Sequence, residues 1–273
     1  MHGPTLLSLD AVVVGLSWQH AFAEAAQWPL GWHHRLLLAA PIWMFWTWDR
    51  VVDAWLMDPI APMTSRHRFA RKHASGLLVG IAVVLCGSLA LAVWRLTWLE
   101  WLCGLALVAA SGLYFLRVAM ASLGRGAQVY KAAGLMVMFS AAVTLFIWAN
   151  AAWVGRLFAP LVAFCALVWA NVLVISVRER HVDALLGQPS PVQGRGRVGR
   201  GVQTLPVVVA LFSVAALGLS GTDPGLWIAL AGAGVLTALL AYFAPRLPMD
   251  PVRTLADAAL AAPPIAIAIA AVA

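Results

Sequence analysis

Asp49 and Asp53, in the stretch FWTWDRVVDAW, are four residues apart, so on a helix their carboxylates stack on one face, one turn apart. Glu179 and Asp183, in NVLVISVRERHVDALLG, repeat that spacing. Two such pairs brought together would repel unless cations sat between them, and hard oxygen donors of this kind suit Mg²⁺. Cationic side chains accompany both pairs. Arg66, His67, Arg68, Arg71 and Lys72 follow the first, Lys131 begins a later apolar run, and Arg178 and Arg180 interleave the second. A phosphorylated ligand could then be gripped by metal and by Arg66, Arg68, Lys72, Lys131 and Arg178 at once. The competing reading is that the acids form salt bridges where helices leave a membrane. One pair alone would favour it, whereas two pairs of equal spacing favour a metal and phosphate site.

The elements that must position these residues are apolar. The chain has 273 residues, of which 63% are hydrophobic and 11% charged, too greasy for a water-soluble globule to cover its own surface. Nine candidate membrane spans are expected, at about 6–24, 36–56, 75–94, 98–116, 131–149, 157–178, 203–220, 225–244 and 255–273, forming a single all-α transmembrane domain over residues 1–273. The first, with Asp10, His20 and Glu24, is the weakest and is expected to be short, tilted or partly wrapped by protein. Pro263 and Pro264 should kink or break the last, which still counts as a crossing if neighbouring helices satisfy the freed carbonyls. The first apolar run carries Asp10 and no basic stretch precedes it, so no cleavable signal peptide is expected.

Of the 18 lysines and arginines, all but Arg35, Arg95 and Arg156 fall in the second, fourth, sixth and eighth loops. This bias places the N-terminus and both acidic pairs on the cytoplasmic side and the C-terminus outside, as in a bacterial-type inner membrane. Trp28, Trp32, Trp94, Trp98, Trp101, Trp148, Trp153 and Trp227 gather at the outer ends as an interfacial belt, while Trp46, Trp48 and Trp55 flank the inner end of the second span. The net charge of +7 is therefore a topology signal and does not point to nucleic acid. The Gly-, Pro- and Arg-rich loop from Gly187 to Gly201 suits anionic lipid headgroups or a phosphorylated substrate. Cys86, Cys103 and Cys165 lie inside apolar runs without metal-type spacing and read as small buried hydrophobes. Asp10 and Asp257 are expected to pair with nearby arginines or to be exposed, His33 and His34 to be interfacial, and Asn150 and Asn171 to bond between helices.

These residues resemble the UbiA superfamily of intramembrane prenyltransferases, nine-helix bundles with aspartate-rich motifs at the cytoplasmic ends of the second and sixth helices. DRVVD looks like the core of the first motif, and VRERHVDALLG looks like the second, with Gly187 at its following glycine. SRHRFARKH is similar to the basic stretch after the first motif, and Lys131 to the lysine between the fourth and fifth helices. The chain departs from the pattern at Phe45, where asparagine is usual, at Glu179, where aspartate is commoner, and at Ser176, often acidic.

The resemblance implies an enzyme that moves an isoprenyl group from an allylic diphosphate to a lipophilic acceptor. Mg²⁺ held by Asp49, Asp53, Glu179 and Asp183 would assist loss of pyrophosphate, and Arg68, Lys72, Lys131 and Arg178 would spread the remaining charge. Rings such as Phe45, Trp46 or Tyr130 would stabilise the allylic cation through their π faces. No side chain identifies the acceptor. Two alternatives accompany this reading. One is a membrane terpene cyclase of the same fold, and the other is a non-catalytic polytopic protein whose acidic pairs are structural.

Overall fold

The computed structural model describes residues 7–56, 65–121, 127–151, 154–185, 198–218 and 221–271, and among them all regular structure is helical. Nine of the described helices have 17 residues or more: α1 (Leu9–Ala25), α2 (Trp32–Leu56), α4 (Ala74–Arg95), α5 (Trp98–Ala121), α6 (Ala127–Asn150), α7 (Phe158–Leu185), α8 (Val198–Leu217), α9 (Pro224–Phe243) and α10 (Met249–Ala270). A short basic helix, α3 (Ser65–Lys72), links α2 to α4, and 3-10 turns at Val154–Leu157 and Ala244–Arg246 precede α7 and follow α9. Each expected span thus coincides with a helix.

Among the described residues five segments are long and apolar enough to cross a membrane: Ala74–Arg95, Ala133–Asn150, Gly155–Arg178, Pro224–Arg246 and Pro251–Ala270. Trp98–Tyr114 and Val202–Leu217 are shorter apolar helices. The difference from nine spans has local causes. α1 is 17 residues long, and the last turns of α2 carry Asp49, Arg50 and Asp53. The protein is a helical membrane protein by these segments.

α1 occupies the centre, against α2, α6, α9 and α10. Trp18, Phe22 and Ala23 are fully buried there, which explains how a helix with so many polar groups is tolerated. Trp18 and Phe164 of α7 meet with ring centroids 4.7 Å apart, and Phe22 lies edge-on to Phe164 at 5.7 Å. α10 packs on α1, α7 and α9, while α2 packs on α1 and α4. α2 and α7 are therefore joined through α1, α6 and α10.

Helix contacts use proline and glycine deliberately. α10 runs unbroken through Pro263 and Pro264. Pro264 cannot donate to the carbonyl of Leu260, and the indole N–H of Trp18 does so instead at 3.0 Å. At the α8–α9 contact, a Cβ added to Gly234 would lie 2.8 Å from the carbonyl oxygen of Pro206, so the two backbones approach as only glycine allows.

The end of the bundle far from the acidic motifs departs from expectation in two places. His34 is buried, not interfacial: its Nε2 is 2.9 Å from Glu100 Oε1, which also accepts from Asn150 Nδ2 at 2.9 Å. Glu100 Oε2 accepts from the Thr97 N–H at 2.7 Å and the Thr97 hydroxyl at 2.9 Å, a capping box at the start of α5. One carboxylate thus ties α2, α5 and α6. Trp227 is 1% exposed, packed edge-on to Phe212 in the core, and is not part of a belt. Trp94 and Trp98 are exposed as a belt requires, and the Arg95 guanidinium stacks over Trp94 at 4.0 Å.

Candidate functional site

The N-termini of α1 and α10 and the C-termini of α2 and α7 meet at the end opposite Glu100. Asp49 and Asp53 lie on the last turns of α2, both half-buried. Arg50, between them in sequence, points about 100° around the helix from Asp49 and so reaches α1. Its Nη2 is 4.0 Å from Asp10 Oδ1, and both side chains are only 11% exposed. Asp257 and Arg253 of α10, and Asp49, also lie within Coulombic reach of the Arg50 guanidinium. Asn171 of α7 donates to Asp257 Oδ1 at 3.4 Å, and Arg178 Nε donates to the carbonyl of Leu247 at 3.1 Å, tying the end of α7 to the segment before α10. Four helices are joined by this chain of polar contacts.

The expected site residues divide by element. Asp49 and Asp53 share one face of α2 as their spacing requires. Glu179 and Asp183 fall in the last turns of α7, so the second pair also sits on a helix at its end, but their side chains lie outside the described residues. Arg68 and Lys72 are exposed on α3, which packs against the end of α2. Arg66 on α3, and Lys131 and Tyr130 on α6, have helical backbone but side chains outside the described residues, and Gly187 lies outside them altogether. Phe45 and Trp46 meet edge-on with centroids 5.6 Å apart, one turn from Asp49. Among the described residues no group of three or more His, Cys, Asp or Glu side chains could hold a metal ion.

The sequence allowed Asp10 and Asp257 one cytoplasmic mouth but left Asn171 apart from them, whereas the fold links all three through Arg50. Asp10 is paired with an arginine, and Asn171 bonds between helices, as expected. Two oxygens in this group, Asp10 Oδ2 and Asn171 Oδ1, are buried without a hydrogen-bond partner among the described residues. Each such group costs about 1–3 kcal/mol when nothing satisfies it.

Volume points elsewhere. A cavity of about 770 Å³ opens at the opposite end, lined by Glu24, Trp28, Arg156 and Asp223 among others. Two of its polar groups serve the fold: Asp223 accepts from the Gly225 N–H at 2.9 Å and caps α9, and Thr222 donates to the carbonyl of Arg156 at 3.1 Å. The acidic end is therefore the candidate site. Comparison of the chain with protein-family models, curated proteins and solved structures finds no match.

Proposed function

We propose that the protein is a Mg²⁺-dependent prenyltransferase of UbiA type, with nine membrane-crossing helices and the acidic end facing the cytoplasm of a bacterial-type inner membrane. Its substrates are an allylic isoprenyl diphosphate and a lipophilic acceptor. The observation that carries the reading is the convergence of α1, α2, α7 and α10 around Arg50, which draws the helix bearing Asp49 and Asp53 and the helix bearing Glu179 and Asp183 to one end of the bundle. Charges this close to apolar helix surface are expensive and accumulate where they work.

The donor set fits Mg²⁺ by its chemistry. Asp49 and Asp53 present carboxylate oxygens from one helical face, half-buried and one turn apart, the hard donors that Mg²⁺ prefers. Asp49, Asp53, Glu179 and Asp183 would hold the ion. Bound there, Mg²⁺ would supply Lewis-acid withdrawal of charge from the diphosphate leaving group.

The chain's own residues do the rest. Arg68 and Lys72, exposed on α3 beside the end of α2, would bind the diphosphate oxygens together with Arg66, Lys131 and Arg178. Arg178 is positioned for this by its bond to Leu247. Phe45 and Trp46 would offer π faces to the cation left when the allylic carbon–oxygen bond breaks. The buried rings of Trp18, Phe22 and Phe164 keep water from the bundle centre.

The test is release of pyrophosphate by the purified protein in nanodiscs, with allylic diphosphates of several chain lengths, Mg²⁺ and a membrane lipid extract as acceptor. Asp49→Asn and Asp183→Asn should each abolish release while leaving thermal unfolding cooperative. Release that needs no acceptor and yields a cyclised isoprenoid would make the protein a cyclase. The absence of release at every chain length would leave the acidic pairs a structural role and end the enzyme reading.

A further inference from the structure

Asp10 and Asn171 sit at matching depth on two helices whose register is fixed. α1 leaves the acidic end and α7 returns to it, and the two touch through the rings of Trp18 and Phe164. Asp10 lies eight residues before Trp18 and Asn171 seven residues after Phe164, about 12 and 10.5 Å nearer the acidic end. Each polar residue is less than a quarter turn around its helix from its aromatic partner. At the level of Trp18 and Phe164 two large rings fill the space between the helices. Two turns nearer the acidic end, Asp10 and Asn171 take the corresponding places on the two helices.

What the two side chains offer there is fixed by their other bonds. Asn171 is 6% exposed, and its Nδ2 is directed at Asp257 Oδ1, so the amide cannot be turned round without setting oxygen against oxygen. Oδ1 is therefore the atom left over. Asp10 uses Oδ1 for the Ala11 N–H at 3.1 Å and for Arg50, leaving Oδ2 buried with no donor among the described residues. Both remaining atoms are acceptors. An anionic, ether or ester group would leave them unsatisfied, whereas a group carrying O–H or N–H complements them.

We infer that Asp10 and Asn171 form a subsite that accepts hydrogen bonds from a hydroxyl- or amine-bearing head group of an amphiphile whose apolar remainder lies in the bilayer. Under the proposed function, on which this last step rests, that amphiphile is the acceptor. The acceptor is then an alcohol, phenol or amine, and its head group is held by α1 and α7 rather than by the acidic motifs. Arg50 and Asp257 are positioning residues, one orienting each side chain.

Binding can be tested without turnover. The intact protein in phosphatidylcholine nanodiscs, whose head group has no O–H or N–H, is titrated with dodecanol, dodecylamine and dodecyl methyl ether while thermal unfolding is followed. The alcohol or the amine should bind about tenfold or more tightly than the ether. Asn171→Leu, and separately Asp10→Asn, should remove that discrimination while each variant still unfolds cooperatively. Equal binding of all three probes, as when water alone satisfies the two oxygens, overturns the subsite, and so does discrimination that survives both substitutions. Selective binding in a protein that releases no pyrophosphate keeps the subsite and removes only its assignment to an acceptor.

Discussion

Trp18 donates its indole N–H to the carbonyl of Leu260 at 3.0 Å, the carbonyl that Pro264 leaves without a backbone donor. The bond joins the central helix α1 to α10 and lets α10 continue through two prolines. Trp18→Phe keeps a buried ring and removes the donor, and should lower stability by about 1–3 kcal/mol. In a Pro264→Ala background the backbone N–H returns, and the same substitution should cost markedly less. Unfolding in detergent of the four members of this cycle measures the difference.

Gly234 tests how closely α8 and α9 approach. A Cβ there would meet the carbonyl oxygen of Pro206 at 2.8 Å and the backbone nitrogen of Ala210 at 3.0 Å, neither of which can swing away as a flexible side chain would. Gly234→Ala should destabilise by about 1–3 kcal/mol. Gly104, with nothing within 4 Å of its added Cβ, is the control. Gly104→Ala should be neutral or slightly stabilising through helix propensity.

Glu100 should be the costliest carboxylate to remove at the far end. It is 2% exposed and serves His34, Asn150 and both donors of Thr97. Glu100→Ala leaves these partners unsatisfied and should cost about 3–5 kcal/mol. Glu100→Gln, which still accepts through one oxygen, should cost less. Because the site is remote from the acidic end, the ratio of activity to folded protein should be unchanged in Glu100→Gln.

The helices were legible because long apolar runs separated by arginine-bearing loops leave little choice of conformation, and most boundaries fall within four residues of the expected edge, although α7 runs seven residues past it and α10 begins six residues before it. α10 continues as a helix through Pro263 and Pro264 where a kink or break was expected, and Trp18 satisfies one of the freed carbonyls. The long-range pairing of single polar residues was not legible. Asn171 and Asp257 are 86 positions apart, and His34 and Glu100 are 66 apart. Such pairs depend on which helices become neighbours, which the local pattern does not record. Thr97 and Glu100 carried a local signal, the three-residue spacing of a capping box, that sequence reasoning passed over. Trp227 differs from Trp98 only in what packs beside it, so composition could not separate a core ring from a belt ring. At the candidate site the spacing gave the face shared by Asp49 and Asp53, but the residue between them, Arg50, binds the helices together.

Arg50 is held by Asp10 on one side, with Asp257 in Coulombic reach on the other, so its loss should leave Asp10 of α1 without its cation. Arg50→Met keeps the length of the side chain and removes the charge, and should destabilise by about 3–5 kcal/mol. Much of that cost is the uncompensated carboxylate of Asp10, so the double variant Arg50→Met with Asp10→Asn should recover a large part of it. If the pair were a mere surface ion pair, Arg50→Met would cost at most about 1 kcal/mol and nothing would be recovered. Unfolding measurements on the two single variants and the double variant separate these outcomes. A large coupling would place the joint between α1, α2 and α10 at Arg50, so the orientation of Asp49 and Asp53 beside it would depend on that pairing.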